Sequence, residues 1–163
     1  RTKRKPCGYL KLKEWGMSFY PSMMKTGLEA DDVLGILATS GKFDSQGFVL
    51  ISPDKDMQQI ACRIYNLKDE FTQTEEAATR KVYEQALCGD QTDGYAGCKG
   101  VGQKKANAIL DKVTDGNYWK AVVDTYKEYD QTEEDALRNL QLCKILQSEN
   151  WDSKNQKPIL ITS

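Results

Sequence analysis

The stretch Gly47-Phe48-Val49-Leu50-Ile51-Ser52 sets apolar, β-branched and aromatic side chains in unbroken succession and stops at Pro53. A run this short and this uniformly apolar has no polar face to offer water, so it reads as a strand covered on both faces in a parallel sheet. A short helix at about 56–61 and a second strand at about 63–67 follow. Strand, helix and strand in that order predict an α/β architecture.

On either side the apolar spacing becomes helical. Leu28, Val33, Leu34, Ile36, Leu37 and Ala38 fit one face of a helix over about 27–39, with Glu29, Asp31 and Asp32 in its first turn and a loop over 40–46 at its end. Thr72 and Thr74 before Glu75 and Glu76 make a capped entry to a helix that runs to about 88. A glycine-rich stretch then leads into a helix over about 103–113. Helices near 118–129 and 133–147 follow, and Pro158-Ile159-Leu160-Ile161 predicts an edge strand. The first 13 residues carry Arg1, Lys3, Arg4, Lys5, Lys11 and Lys13 with no acid, and Pro6 and Gly8 interrupt any early helix, so they read as a basic arm.

Composition limits what such a fold can do. The chain has no histidine, which removes His-based triads, His-ligated zinc and His general bases and leaves carboxylates, Lys, Tyr and Cys. Cys7, Cys62, Cys88, Cys98 and Cys143 form no C-x-x-C pair and are expected as free thiols in a reducing compartment. With 23 Lys plus Arg against 24 Asp plus Glu, net charge names no partner, and only the placement of charges can. No apolar run approaches the roughly 18 residues of a membrane span and no signal-peptide pattern opens the chain, from which a soluble, cytoplasmic protein is expected.

The acids gather at three places. Glu29, Asp31 and Asp32 share one helical turn, where they also favour the helix dipole; Asp54 and Asp56 follow a buried strand, where open α/β sheets place ligands; Asp90 and Asp93 lie among glycines, where turn caps are the simpler account. Asp54-x-Asp56 does not open a calcium loop, because Gln59 and Tyr65 stand where Gly and Glu are needed. If the fold joins the seven carboxylates, their mutual repulsion calls for hard cations, Mg²⁺ or Mn²⁺, in the paired arrangement that serves phosphodiester hydrolysis.

Gly97-Cys98-Lys99-Gly100-Val101-Gly102-Gln103-Lys104-Lys105-Ala106 is a glycine turn running into a helix start with two lysines. Glycines let backbone approach a phosphate, and a helix N-terminus offers free N–H groups, so this segment can hold duplex backbone without reading bases. The spacing excludes a Walker loop.

Taken in order, these motifs resemble the 5′ nuclease family of flap endonucleases, the 5′ nuclease domain of bacterial DNA polymerase I and phage exonucleases, with exonucleases of short-tailed phages the nearest in pattern. Gly27-Leu28-Glu29-Ala30-Asp31-Asp32 resembles its G-x-E-A-D-D helix, Ser52-Pro53-Asp54-Lys55-Asp56-Met57 its S-x-D-K-D-[LM] loop, and Gly89-Asp90-Gln91-Thr92-Asp93-Gly94 its G-D-x-x-D-[NG] segment. Gly100-Val101-Gly102-Gln103-Lys104-Lys105-Ala106 matches its helix-three-turn-helix. The resemblance implies a Rossmann-like (PIN-like) parallel-sheet core over 1–88 and a helical DNA-binding subdomain over 89–163. It implies Glu29, Asp31, Asp32, Asp54, Asp56, Asp90 and Asp93 as direct or water-mediated ligands of two Mg²⁺ or Mn²⁺ ions. Arg1 and Lys3 become the expected catalytic cations beside the arch that meets the 5′-terminal strand. Arg4, Lys5, Lys99, Gly100, Gly102, Lys104 and Lys105 become the expected DNA contacts, with a K⁺ ion on the turn carbonyls. The family's N-terminal segment, which carries further metal-binding aspartates, has no counterpart here and is an expected partner of the chain.

The activity implied is Mg²⁺-dependent 5′→3′ exonuclease or flap cleavage of DNA or RNA–DNA near a free 5′ end. Two rivals stand beside it: a duplex-gripping module without catalysis, and a Mg²⁺-dependent phosphatase of small molecules.

Overall fold

The computed structural model describes residues 4–43 and 47–162. The chain is a mixed α/β protein with a small sheet and, among the described residues, six α-helices. The apolar run forms β1 (Val49–Ile51), a short 3₁₀ turn (Lys55–Gln59) follows Pro53, and β2 (Arg63–Tyr65) returns parallel to β1 with Leu50 opposite Ile64. A third strand, β3 (Glu70–Thr72), which the sequence reading does not anticipate, pairs antiparallel to β2. The sheet order β1-β2-β3 is therefore mixed, and β1 lies at its edge. That corrects the expectation of a strand covered on both faces: Leu50 is buried, but Ile51 is 62% exposed.

Helix α2 (Ala30–Ala38) precedes the sheet, and α3 (Glu75–Cys88) follows it with Thr74 Oγ1 accepting from Ala77 N as its cap. Helices α4 (Gln103–Leu110), α5 (Tyr118–Glu128) and α6 (Glu133–Cys143) complete the helical set, each shorter at its C-terminal end than the apolar periodicity predicts. α3 is the spine of the molecule, packed against the 3₁₀ turn and against α4, α5 and α6. Leu87 joins Leu110, Val122 and Tyr126 in one apolar cluster, Val82 and Ala86 join Tyr95 and Leu140 in a second, and Leu50, Met57, Ile60, Ile64 and Ile145 form a third under the sheet. The expected edge strand at 158–161 is shorter and elsewhere: β5 (Lys157–Pro158) makes a separate two-stranded hairpin with β4 (Trp151–Asp152).

The N-terminal arm also differs from expectation. Residues from Tyr9 to Phe19 form helix α1, because Gly8, at φ 86°, caps the helix rather than preventing it. No α1 residue is buried, and Leu10, Leu12, Trp15 and Phe19 face solvent. All five cysteines are free, as expected. Among the described residues no helix is long and apolar enough to cross a membrane.

Candidate metal centre

The three acidic segments meet at one cleft. A cavity of about 790 Å³ is lined by Glu29, Asp31 and Asp32 from the start of α2, Asp54 and Asp56 from the 3₁₀ turn, and Asp93 and Tyr95 from the loop after α3. Its opposite wall is the 141–146 segment at and after the end of α6. Asp90 stands beside it: one oxygen each of Asp56, Asp90 and Asp93 lie within 4.8 Å of one another.

Each segment is held by its own local logic. Asp54 caps the 3₁₀ turn, its Oδ1 accepting from Asp56 N at 2.9 Å, which aims Asp56 inward. Asp32 Oδ1 accepts from Leu146 N at 2.9 Å, so α2 is fastened to the cleft wall. α2 can approach that closely because Gly35 has no side chain: a Cβ there would lie 2.3 Å from Leu146 O. The 89–97 loop closes through paired backbone hydrogen bonds between Asp90 and Tyr95. Its ends cross backbone against backbone at Gly89 and Gly97, both at positive φ, where a Cβ on Gly97 would meet Gly89 N at 2.3 Å. Only glycine fits that crossing.

The electrostatics differ within the cluster. Burial, helped by the neighbouring Asp54 charge, raises the Asp56 carboxyl above its ordinary value. Asp90, whose side chain is only 10% exposed, is lowered to about 2 by its hydrogen bond to Lys55 Nζ at 2.7 Å and by Thr92 N, which donates to Oδ1 at 2.7 Å. Lys55 is raised in turn, first by that same bond. Burial pushes the Cys143 thiol on the cleft wall up to about 12, and its Sγ is turned to the backbone, with Leu140 O at 3.4 Å and Val82 O at 3.6 Å as acceptors.

The expected DNA contacts lie elsewhere. Gly102 is the N-cap of α4, and Lys104 and Lys105 occupy its exposed first turn. Lys105 Nζ lies 4.4 Å over the Tyr129 ring and contacts its hydroxyl, and Lys99 N donates to Gln131 Oε1 at 2.7 Å. Arg4 and Lys5 are exposed, Lys5 Nζ standing over the Tyr9 ring, while Arg1 and Lys3 lie outside the described residues.

Sequence reasoning missed the supports of the cleft: Lys55 as partner of Asp90, the Leu146 N–H on Asp32, and the buried Gln59 and Gln85 behind Asp56. The available signal was two glutamines at positions where the pattern calls for core. Buried amides are seldom unpartnered.

No protein-family model matches the chain. Individual proteins do. The chain is 33% identical over 120 residues to an exodeoxyribonuclease of Enterobacteria phage T3, a span covering 68% of this chain and 39% of the phage protein. It is 34% identical over 108 residues to an exonuclease of Escherichia phage T7, covering 61% of this chain and 35% of that protein. The chain is a homologue of these exonucleases. A 5′-3′ exonuclease of Aquifex aeolicus is 35% identical over 105 residues, 56% of this chain and 36% of that enzyme. The homologous exonucleases are thus much longer than the part matched, which is under two fifths of the length of the T7 and Aquifex proteins.

Proposed function

We propose that the chain forms the metal-binding and duplex-gripping part of a 5′ nuclease that hydrolyses DNA, or RNA–DNA, near a free 5′ end. The observation that carries this reading is the convergence of carboxylates from α2, the 3₁₀ turn and the 89–97 loop on one cleft. Homology to proteins named as exonucleases supports it.

The cleft fits hard divalent cations. Asp56, Asp90 and Asp93 offer oxygen donors within 4.8 Å of one another, and a group of carboxylate oxygens suits Mg²⁺ or Mn²⁺ rather than zinc. Asp56, Asp90 and Asp93 would hold such ions directly, with Glu29, Asp31, Asp32 and Asp54 as outer or water-mediated ligands. A pair of these cations, when bound, supplies activated water and charge stabilisation for phosphodiester hydrolysis. The chain's own part is to fix the carboxylates. Asp54 aims Asp56, Leu146 N holds Asp32, and Lys55 Nζ holds Asp90 through a 2.7 Å hydrogen bond. Lys55 also places a cation at the cluster, where a phosphate approaches.

The finer reading divides the chain into a PIN-like nuclease core over 1–88 and a helix-three-turn-helix subdomain over 89–163 that holds duplex backbone through Lys99, Gly100, Gly102, Lys104 and Lys105, with K⁺ on the turn carbonyls. Arg4 and Lys5, with Arg1 and Lys3 as catalytic cations, would meet the 5′-terminal strand. Flap cutting and a docked further segment belong to the same proposal; the edge position of β1 with exposed Ile51, Leu34 and Phe43 supports the second. The test is Mg²⁺-dependent release of nucleotides from a 5′-labelled duplex. Loss on Asp56→Asn with duplex binding kept supports the reading. Binding by the parent without cleavage, in the longest polypeptide that contains these residues, favours the rival of a non-catalytic module.

A further inference from the structure

Two glutamines sit where the fold's apolar pattern calls for hydrocarbon. Gln59 ends the 3₁₀ turn and is 1% exposed; Gln85 is on the buried face of α3 and is 3% exposed. Burying an amide is unfavourable unless each donor and acceptor is matched, and here they are matched in a directed chain. Gln59 Oε1 accepts from Ile145 N at 2.9 Å, and Gln59 Nε2 donates to Cys143 O at 2.7 Å and to Gln85 Oε1 at 2.6 Å. Gln85 Nε2 then donates to Asp56 Oδ1 at 2.7 Å.

The direction of this chain is fixed from its backbone end. A peptide N–H can only donate and a peptide carbonyl can only accept. Ile145 N and Cys143 O therefore decide which end of the Gln59 amide faces which way, an orientation that side-chain shape alone would leave open. Gln59 so oriented spends its second N–H on Gln85 and fixes the Gln85 amide. The only end of Gln85 left to face Asp56 is its N–H group. Reversed at any link, the chain would set an amide oxygen against a carboxylate that already lies beside Asp90 and Asp93. The same loop fastens Asp32 through Leu146 N, so the wall after α6 is the common reference for two of the three acidic segments.

We propose that Gln59 and Gln85 are positioning residues for the metal centre: a buried amide relay, polarised by the backbone at 143–145, that holds the Asp56 carboxylate in its ligating orientation. This rests on the reading of Asp56 as a metal ligand. Ligand-orienting partners of this kind typically change metal affinity by about 10–100-fold when removed.

The test is Mn²⁺ alone titrated into the 163-residue chain, with free Mn²⁺ read by electron paramagnetic resonance below the melting transition and the melting temperature measured beside it. Gln85→Met keeps the length of the side chain and removes both amide groups; it is expected to weaken Mn²⁺ binding by about 10-fold or more. Gln85→Asn keeps the amide but draws it back by one methylene from both Gln59 and Asp56 and is expected to act the same way; it takes over as the deciding variant if the Met protein does not fold. Leu110→Val, a core change in the cluster away from the cleft, is expected to lower the melting temperature and leave Mn²⁺ affinity alone. Affinity within about twofold of the parent in the folded Gln85 variant overturns the relay, as does an equal loss of affinity in Leu110→Val. Asp56→Asn separates the two levels. If it abolishes binding while Gln85→Met does not, the relay fails and the metal centre stands; if it too binds like the parent, the metal centre itself is misassigned.

Discussion

The acidic cleft and the glycine turn before α4 are built on opposite plans. The cleft draws its carboxylates from segments as far apart in sequence as Glu29 and Asp93, and three of the seven are fastened by a second group: Asp32 by Leu146 N, Asp56 by Gln85, Asp90 by Lys55 and Thr92 N. The turn places Lys99, Gly100, Gly102, Lys104 and Lys105 within seven consecutive residues, all exposed. Metal chemistry needs several oxygens held to a fraction of an ångström, so it needs a frame; holding a phosphate backbone needs charge and free N–H groups in roughly the right place, so a local turn suffices. The contrast predicts that substitutions in the cleft are few, large and coupled, while those in the turn are small and additive.

The largest effect is expected at Asp56. In the longest polypeptide containing these residues, Asp56→Asn should lower Mg²⁺-dependent cleavage on the order of 100-fold or more, since Asp56 is proposed to hold a cation that would supply several kcal/mol of charge stabilisation. The same change should make the metal-free protein more stable at neutral pH, because burial and Asp54 penalise the ionised carboxylate and an Asn Oδ1 can still accept from Gln85. Urea unfolding with chelator present checks the second half; a loss of stability would mean that the carboxylate is structural.

Next come the glycines, which set the two regions against each other directly. Gly97→Ala should destabilise by roughly 2–4 kcal/mol, from a left-handed φ and a clash with backbone that cannot yield. Gly102→Ala, at φ −94° with nothing within 4 Å of the added carbon, should stay within about 1 kcal/mol of the parent. Similar midpoints for the two variants in denaturant would break the contrast.

A third test uses acid. The folded Asp90 carboxyl lies at about 2 against an ordinary 3.8, so its contribution to stability is complete above that ordinary value and is lost as pH falls through about 2. Lys55→Met removes the first cause of the shift. Stability of parent and variant should therefore differ at pH 6 and converge toward pH 2, as followed by thermal melts across that range. Curves that stay parallel would show that Lys55 does not set the Asp90 titration.

The same contrast explains what could be read without a structure. The turn and α4 were legible because their logic is local: glycines, then Gln103-Lys104-Lys105-Ala106 as a helix start. The seven carboxylates were legible as three short motifs, each with a reason to exist alone. Their meeting is implied only by the family resemblance and not by the residues' own spacing, because it depends on Gly35 against Leu146 and on the Gly89–Gly97 crossing, backbone contacts that no local pattern announces. β3 was missed because Glu70-Phe71-Thr72 has one apolar residue and takes its strand form from pairing with β2. Helix α1 is not legible because Pro6 and Gly8 read as breakers, whereas a glycine at positive φ just before Tyr9 serves equally well as a start.

The smallest effect, and the one that decides the role of the turn, is expected from Lys104 and Lys105. Both stand in the first turn of α4, where the helix N-terminus already favours anions, and neither makes a salt bridge among the described residues. A lysine that neutralises one phosphate releases about one counterion, so changing both to Ala should reduce the slope of log affinity against log salt by up to about 2. The loss should be the same for unrelated duplex sequences, since phosphate contacts carry no base information. Lys105 is held over Tyr129, which fixes its charge in place, so Lys105→Ala should weaken binding more than Lys104→Ala at low salt. Mobility shifts at 50, 100 and 200 mM salt on two duplexes of different sequence measure all of this. An unchanged slope in the double variant would mean that these lysines touch no phosphate, and the turn would then be only the way into a helix.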